Sequence, residues 1–134
     1  IYNEMVHDAR LIRIGGEHEP PEIRRWLGDS IGRWDGDTLV ADVAAITDQV
    51  WLDQSGNFHS TEIRIVERYR MTGADTIEYE ARIEDPVVYS KPWTLRTLLY
   101  RVKTPGARIV AGFERSDSGR ALRCARLVSR RRTL

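Results

Sequence analysis

The sequence predicts an all-β fold, a small antiparallel barrel of about seven to eight strands that follow one another as a meander of hairpins. Apolar and polar residues alternate with a period of two along much of the chain. Turn residues separate these short runs, and no long segment has the 3.6-residue period of an amphipathic helix. Closure into a barrel is favoured over an open sheet because it leaves no exposed edge strand.

Glycine and proline punctuate the first half of the chain. Gly15-Gly16 ends the first alternating run, and Gly36 is suited to the positive φ of a tight hairpin turn. The predicted elements are a strand over Met5–Ile14, one helical turn over Pro21–Trp26, and strands over Ser30–Trp34 and Thr38–Val43. Residues 44–61 then form a connection long enough to suggest a lid or a binding loop.

The second half contains the clearest hairpin. Its two strands, Glu62–Met71 and Thr76–Glu84, must place their apolar faces on the same side of the sheet, which requires an odd loop such as Gly73–Asp75. This register sets Tyr69 opposite Tyr79 and Glu67 opposite Ala81. The last predicted hairpin joins strands over Leu95–Val102 and Ala107–Glu114.

The charge of the chain is unevenly distributed. Residues 1–114 contain 14 basic and 19 acidic residues, whereas residues 115–134 contain seven arginines and one aspartate. We therefore expect a single barrel domain over 1–114, followed by a basic tail or a short terminal helix over 115–134. The acidic domain argues against a nucleic-acid partner. No run is long and apolar enough for a membrane span, and the single cysteine excludes an internal disulfide.

Several blocks of sequence resemble a family of exported bacterial proteins of uncharacterised activity. The blocks are His7–Arg10, Trp26–Val40, Trp51–Asp53 with Phe58–Ser60, and Ile83–Pro86 with Pro92–Thr94. The resemblance implies a periplasmic or secreted location and a barrel-like fold, and it implies no activity. A weaker likeness to lipocalin-type and nitrobindin-like barrels rests on Gly32-Arg33-Trp34 and favours a barrel with a cavity.

Two polar residues interrupt apolar strand faces and are therefore candidates for chemistry. Glu67 lies between Ile65 and Tyr69, and a buried carboxylate must be paired, protonated or catalytic. His7 occupies a similar position on the first strand, and an inward histidine beside an inward carboxylate is a plausible proton-transfer pair. A structural ion pair of Glu67 with Arg10 or Arg33 is the alternative.

The long connection supplies two more candidate catalytic residues, His59 and Asp53. Loops commonly carry such groups, although a network that only staples the loop would use the same residues. Asp53 or Asp85 would be the second carboxylate if the reaction were glycoside hydrolysis. Metal-ligand spacing is absent, so no metal and no cofactor are expected.

A second set of residues is expected to hold a substrate. Arg10 or Arg33 would bind an anionic group, Tyr69 and Tyr79 would donate hydrogen bonds, and Trp51 and Trp93 would provide aromatic surface at the barrel mouth. Trp26 falls in a loop in the same way and Trp34 is expected in the core. The alternative is that the loop tryptophans plug the barrel ends.

Together these residues predict a cofactor-independent acid–base enzyme, of the hydrolase, lyase or isomerase type, acting on a small organic or sugar-like substrate in a barrel cavity. The alternative is a non-catalytic exported module that binds a sugar or an apolar small molecule. A filled barrel that serves as a structural domain is a third reading. A homodimer is compatible with all three.

Overall fold

The computed structural model describes residues 1–3, 8–53, 55–101 and 109–112, and for residues 2, 3, 8 and 109–112 it describes the backbone only. Met5, Val6, His7 and the arginine-rich tail therefore lie outside the described residues. The strands are β1 (Tyr2–Asn3), β2 (Asp8–Ala9), β3 (Ile12–Ile14), β4 (Asp29–Asp35), β5 (Thr38–Ala44), β6 (Arg64–Gly73), β7 (Thr76–Glu84), β8 (Trp93–Arg101) and β9 (Ile109–Gly112).

The described chain is all-β. Strands β3 to β9 form one mixed sheet in sequence order, and β1 pairs with β2 in a separate two-stranded ribbon. Every neighbouring pair in the main sheet is antiparallel except β3 and β4, which are parallel. The described ranges contain no helix that is long and apolar enough to cross a membrane.

The sheet differs from the predicted antiparallel barrel in two respects. Within the described residues β3 and β9 lie at opposite edges and do not pair, so closure is not observed. The pairing of β3 with β4 is parallel because residues 15–28 carry the chain back to the starting end of the sheet, a crossover that a hairpin cannot make.

The helical turn predicted at Pro21–Trp26 is also absent. A single turn closes between the Ile23 amide and the Pro20 carbonyl at 2.9 Å. Arg25 then forms a parallel bridge with Ile46, and its backbone exchanges hydrogen bonds with Ala45 and Thr47. Because those backbone groups are engaged across the molecule, they are not available to a helix.

The local hairpins agree with the sequence prediction in their strand pairing. Between β6 and β7, Tyr69 lies opposite Tyr79 and Glu67 opposite Ala81, as predicted. The predicted three-residue loop is wrong, because Gly73 pairs with Thr76 and leaves a two-residue loop, and the bulge before Gly73 supplies the odd count. Between β4 and β5, Gly36 takes a φ of 57° in a two-residue turn. Each register follows from turn chemistry together with a face that must be buried.

One face of the main sheet, here called the core face, carries most of the buried apolar side chains, although Val40 is also buried and lies on the opposite face. Val43, Ile63, Ala81, Ile83 and Ile46 form the densest cluster of the core face, against which side chains of the 50–52 loop and of β8 pack. Ala81 and Ile83 alternate along β7 with charged residues on the opposite face. This alternation is the period-two pattern of a half-buried antiparallel sheet.

The opposite face carries a set of ion pairs, four of which join different strands and one of which lies within β7. Its members are Arg64–Asp42, Arg68–Asp35, Arg70–Glu78, Arg82–Glu84 and Arg96–Glu80. Pairs as exposed as Arg82–Glu84 each contribute little to stability. Arg70–Glu78 and Arg96–Glu80 join directly opposed residues of neighbouring strands, and this placement opposes a slip in register.

Candidate functional site

A buried ion pair lies in the middle of the core face. Strand β6 places Glu67 there, with 5 % of its surface exposed, between Ile65 and Tyr69. Arg10, in the segment between β2 and β3, donates from Nη1 to Oε1 at 3.1 Å and from Nη2 to Oε2 at 2.5 Å. This two-pronged contact is the strongest geometry available to an arginine and a carboxylate.

Two tyrosines complete the cluster around this pair. The Tyr79 hydroxyl donates to Glu67 Oε1 at 2.8 Å, and Arg10 Nη2 donates to the Tyr69 hydroxyl at 3.1 Å. The rings stand opposite each other on β6 and β7, with centroids 5.0 Å apart. Burial, reinforced by the negative charge of Glu67, raises the pKa of Tyr69 and of Tyr79 above the ordinary phenol range, so both remain protonated hydrogen-bond donors.

The pairing constrains the chemistry of Glu67. Burial alone lowers the pKa of Arg10, but the Glu67 charge and its hydrogen bonds outweigh burial and raise that pKa. Arg10 therefore remains a fixed cation and Glu67 its counterion. Both carboxylate oxygens already accept hydrogen bonds, which matches the structural ion pair considered as the alternative to catalysis.

Two pockets flank this cluster and share its residues. The first, here called the apolar pocket, has a volume of about 260 Å³ and almost wholly apolar walls formed by Ile1, Trp34, Asp37, Leu39, Tyr69, Met71 and Ile77. Tyr69 belongs to both the pocket and the cluster. Apart from Ile1 and Asp37, the wall residues come from β4 to β7 and share one face, as in the pairs Trp34–Leu39 and Leu39–Tyr69.

The second pocket, here called the polar pocket, has a volume of about 350 Å³. Its walls include Arg10, Arg13, Glu19, Arg25, Trp26, Gly28, Asp29 and Ser30. Gly28 has a φ of 68°, and a Cβ there would lie 2.6 Å from the Ala44 carbonyl oxygen. Only glycine fits this close approach, which brings the 25–28 loop against β5.

The loop residues expected to be catalytic, His59 and Asp53, lie close to hydrogen-bonding partners in their own segment. His59 is buried, with Nδ1 3.0 Å from the Ser60 carbonyl oxygen. Ser60 in turn donates to Asp85 from its amide at 2.6 Å and from its hydroxyl at 2.8 Å. Asp53 accepts hydrogen bonds from the amides of Ser55 and Asn57 within its own loop. None of these contacts joins the loop to the Glu67 cluster.

Three residues that were predicted to bind substrate, one arginine and two tryptophans, line neither of the two pockets. Arg33 is exposed and shares its face with Val40, its partner on β5, away from the core face and Glu67. Trp51 is 71 % exposed and lines neither pocket. Trp93 packs edge-on against Tyr89 beside the core cluster, 5.8 Å between ring centroids. The structure thus assigns the ion pair to Arg10 rather than Arg33.

The exposure of Trp34 differs from the sequence prediction. It was predicted in the core, yet 64 % of its surface is exposed. It points to the core face near the β4–β5 turn, where the apolar pocket opens. A large exposed indole on an otherwise apolar wall is the type of surface that proteins reserve for binding.

Sequence reasoning missed a second charged cluster, centred on His18. Its Nδ1 lies 2.9 Å from Asp29 Oδ2, and its Nε2 lies 3.7 Å from Asp42 Oδ2. Arg13 and Arg64 pair with these two carboxylates. No motif reveals this cluster, because its members come from separate elements and only the parallel pairing of β3 brings them together.

The described residues contain no group of three or more histidine, cysteine, aspartate or glutamate side chains arranged to hold a metal ion. His7, the other proposed proton-transfer group, lies outside the described residues. Comparisons with protein-family models, with curated proteins and with solved structures give no match to this chain. The function is therefore inferred from the geometry alone.

Proposed function

We propose that the protein is a binding module for a small, largely apolar molecule, which occupies the apolar pocket. The observation that carries this proposal is the exposure of Trp34 and Met71 on the walls of that pocket. Burying such side chains against a ligand removes apolar surface from water, which contributes roughly 25 cal/mol for each Å². The hydrogen-bonded Tyr69 gives one end of the pocket a polar wall.

The dimensions favour a compact ligand. A volume of about 260 Å³ falls just below the roughly 300–1,000 Å³ of sites for drug-sized molecules. Since the walls are almost wholly apolar, with Asp37 at the rim, a ligand gains affinity from its apolar surface and orientation from at most one or two polar groups.

Binding of an apolar fluorescent probe such as N-phenyl-1-naphthylamine tests this proposal. Trp34→Ala removes the largest exposed wall and is expected to weaken probe binding about tenfold, the effect of losing about 1.4 kcal/mol of contact. Trp51→Ala is the matched control, because Trp51 is equally exposed but lies outside the pocket. Equal affinity of both variants and the parent protein would place binding elsewhere and refute the assignment.

A second candidate function is acid–base catalysis at Glu67, which the adjacency of the cluster and the pocket favours. Tyr69 lines the pocket and accepts a hydrogen bond from Arg10, which holds Glu67. A substrate in the pocket would contact Tyr69, whose hydroxyl is held by Arg10 and through it linked to Glu67, a preorganised arrangement.

Turnover of fluorogenic glycosides, esters and phosphoesters by the parent protein and by Glu67→Gln tests the second candidate. The enzyme hypothesis predicts turnover by the parent and its loss in a folded Glu67→Gln variant. Tyr89→Phe is the control, because the Tyr89 hydroxyl donates to the Phe58 carbonyl and makes no contact with Glu67. Turnover that survives Glu67→Gln, or a parent without turnover, would remove Glu67 from any catalytic role.

The family resemblance supports two further proposals, export from the bacterial cell and closure of the sheet into a lipocalin-like barrel. Closure predicts short proton–proton distances between β3 and β9 in nuclear Overhauser spectra, and their absence would establish an open sheet. Recovery of the natural protein in the periplasmic or secreted fraction would support export, whereas recovery with cytoplasmic markers would oppose it.

A further inference from the structure

We propose that the polar pocket is a second binding site, separate from the apolar pocket, and that its ligand is a neutral sugar ring stacked on Trp26. At about 350 Å³ this pocket lies within the range of small-molecule sites. It combines an exposed aromatic face, several charged hydrogen-bonding groups and a buried hydroxyl that has no hydrogen-bond partner in the described part of the chain. Each of these features points to a polyhydroxylated ligand.

The charges in the polar pocket are balanced. Arg10 is paired with Glu67, Arg13 with Asp29 at 2.9 Å, and Arg25 with Glu19 at 2.6 Å. Since every guanidinium already has a carboxylate partner, an anionic ligand would meet Asp29 and Glu19 as well as the arginines. A neutral ligand meets no such repulsion.

The same ion pairs supply hydrogen bonds to hydroxyl groups. A guanidinium carries five N–H donors, and Arg25 uses only Nη2 in its contact with Glu19 Oε2. A carboxylate oxygen accepts more than one hydrogen bond, as Asp29 Oδ2 does from Arg13, His18 and the Glu19 amide. Donors and acceptors side by side match a sugar hydroxyl, which is both.

Ser30 provides an independent indication of a ligand. It lines the polar pocket, is 2 % exposed, and among the described residues its hydroxyl has no hydrogen-bond partner. An unpartnered buried hydroxyl is costly to a fold, and native proteins contain few of them. A ligand hydroxyl that reaches Ser30 Oγ would satisfy this group.

Trp26 provides the apolar part of the site. Its side chain is 61 % exposed and lies at the wall of the polar pocket beside Leu27. The negative face of an indole attracts the weakly positive C–H groups on one face of a sugar ring. Stacking on Trp26 therefore positions the sugar ring, and the sugar hydroxyls face the arginine–carboxylate pairs.

Calorimetric titration of the protein with neutral sugars tests the proposal. The probes are glucose, galactose, mannose, N-acetylglucosamine, maltose and cellobiose. We expect saturable binding of at least one of them, weakened about tenfold by Trp26→Ala and by Ser30→Ala, the effect of losing about 1.4 kcal/mol of contact. Ser30→Ala removes a hydroxyl without a partner, so it should leave the urea midpoint unchanged or raised, which separates loss of binding from loss of folding.

Trp34→Ala is the matched control and distinguishes this proposal from the apolar-pocket proposal. It should reduce binding of the apolar probe and leave sugar binding unchanged, since Trp34 does not line the polar pocket. Sugar binding that is lost in Trp34→Ala but kept in Trp26→Ala would overturn the proposal. Failure of all six sugars to bind, or binding of citrate or phosphate in their place, would also overturn it.

Discussion

At the scale of single residues, the Arg10–Glu67 pair is the contact on which the core face depends most. Its geometry is bidentate, and both side chains are largely removed from solvent. Breaking such a pair leaves one charge buried without a counterion, which typically costs about 3–5 kcal/mol. Glu67→Gln should therefore lower the free energy of unfolding by about 3 kcal/mol, measured by urea denaturation.

A double variant separates charge burial from packing at this position. Replacing both partners, as in Arg10→Met with Glu67→Leu, removes the unpaired charge and should recover most of the loss. The coupling energy from the double-mutant cycle should then be large and favourable. Additive losses, with no recovery in the double variant, would show that the two side chains act independently.

The two tyrosines of the cluster predict a titration at alkaline pH. Burial and the Glu67 charge raise the pKa of Tyr69 and Tyr79 in the folded protein, so the unfolded state loses these protons at lower pH. The stability they contribute is complete below the ordinary phenol pKa of about 10 and declines as pH rises above it.

Absorbance at the phenolate band measures this titration. Tyr69 and Tyr79 should ionise only when the protein unfolds. Tyr69→Phe with Tyr79→Phe should remove their share of the delayed fraction and leave that of Tyr89, whose pKa burial also raises. Complete ionisation of all five tyrosines near pH 10, with the fold intact, would contradict the burial of these two rings.

Sequence reasoning located Glu67 and narrowed its partner to Arg10 or Arg33, without deciding between them. Glu67 was identified because it interrupts an apolar alternation, a local signal that needs no tertiary information. The choice between Arg10 and Arg33 depended on how the segment before β3 crosses the core face, which is a non-local contact. The polar pocket was missed for the same reason, although the His7–Arg10 and Trp26–Val40 blocks contribute much of its lining.

At the scale of elements, the parallel edge strand β3 depends on the absence of a side chain at Gly32. A Cβ there would lie 2.7 Å from Ile12 Cγ2 and 2.9 Å from Ile14 Cδ1. Gly32→Ala should push β3 away from β4 and destabilise the fold by about 1–3 kcal/mol, the usual cost of overpacking. Hydrogen exchange should accelerate most at the β3 amides.

Gly73→Ala is the control for this prediction. Its Cβ would have neighbours no closer than 3.9 Å, and its backbone φ is not in the positive region. It should therefore leave both stability and β3 exchange nearly unchanged. If the two alanine variants were equally destabilised, the close approach of β3 to Gly32 would not be the cause.

The elements that the sequence predicted well are those whose contacts are local. The β4–β5 hairpin follows from the turn at Gly36, and both it and the β6–β7 hairpin follow from alternation over a few residues. The parallel pairing of β3 could not be predicted in this way, because it joins segments separated by the loop over residues 15–28. A strand of three residues carries too short an alternation to define its partner.

At the scale of the whole molecule, three buried or half-buried carboxylates make the fold sensitive to acid. Burial alone would raise the pKa of Asp29 and of Asp85, but hydrogen bonds outweigh burial and lower both pKa values. The hydrogen bonds to Asp29 come from Glu19, His18 and Arg13. Those to Asp85 come mainly from Ser60. The hydrogen bond from Arg64 lowers the pKa of Asp42.

Lowered folded-state pKa values mean that the unfolded chain binds more protons in acid. The stability that these three carboxylates contribute is complete above the ordinary carboxyl pKa of about 3.9. It is lost as the pH falls through their pKa values in the folded protein. Urea midpoints should therefore decline steeply below about pH 4. Asp85→Asn should be less stable at pH 7 and show a shallower decline, and a slope equal to that of the parent would exclude Asp85 from the acid response.

Arg10 lies between the two pockets. It lines the polar pocket, and it donates a hydrogen bond to Tyr69, which lines the apolar pocket. A ligand in one pocket that shifts this guanidinium would change the affinity of the other pocket for its ligand. Thermodynamic linkage then requires the effect to be reciprocal: the factor by which the first ligand changes the affinity for the second equals the factor by which the second changes the affinity for the first. If both proposed ligands bind, any coupling between the two pockets would therefore pass through Arg10 and Tyr69.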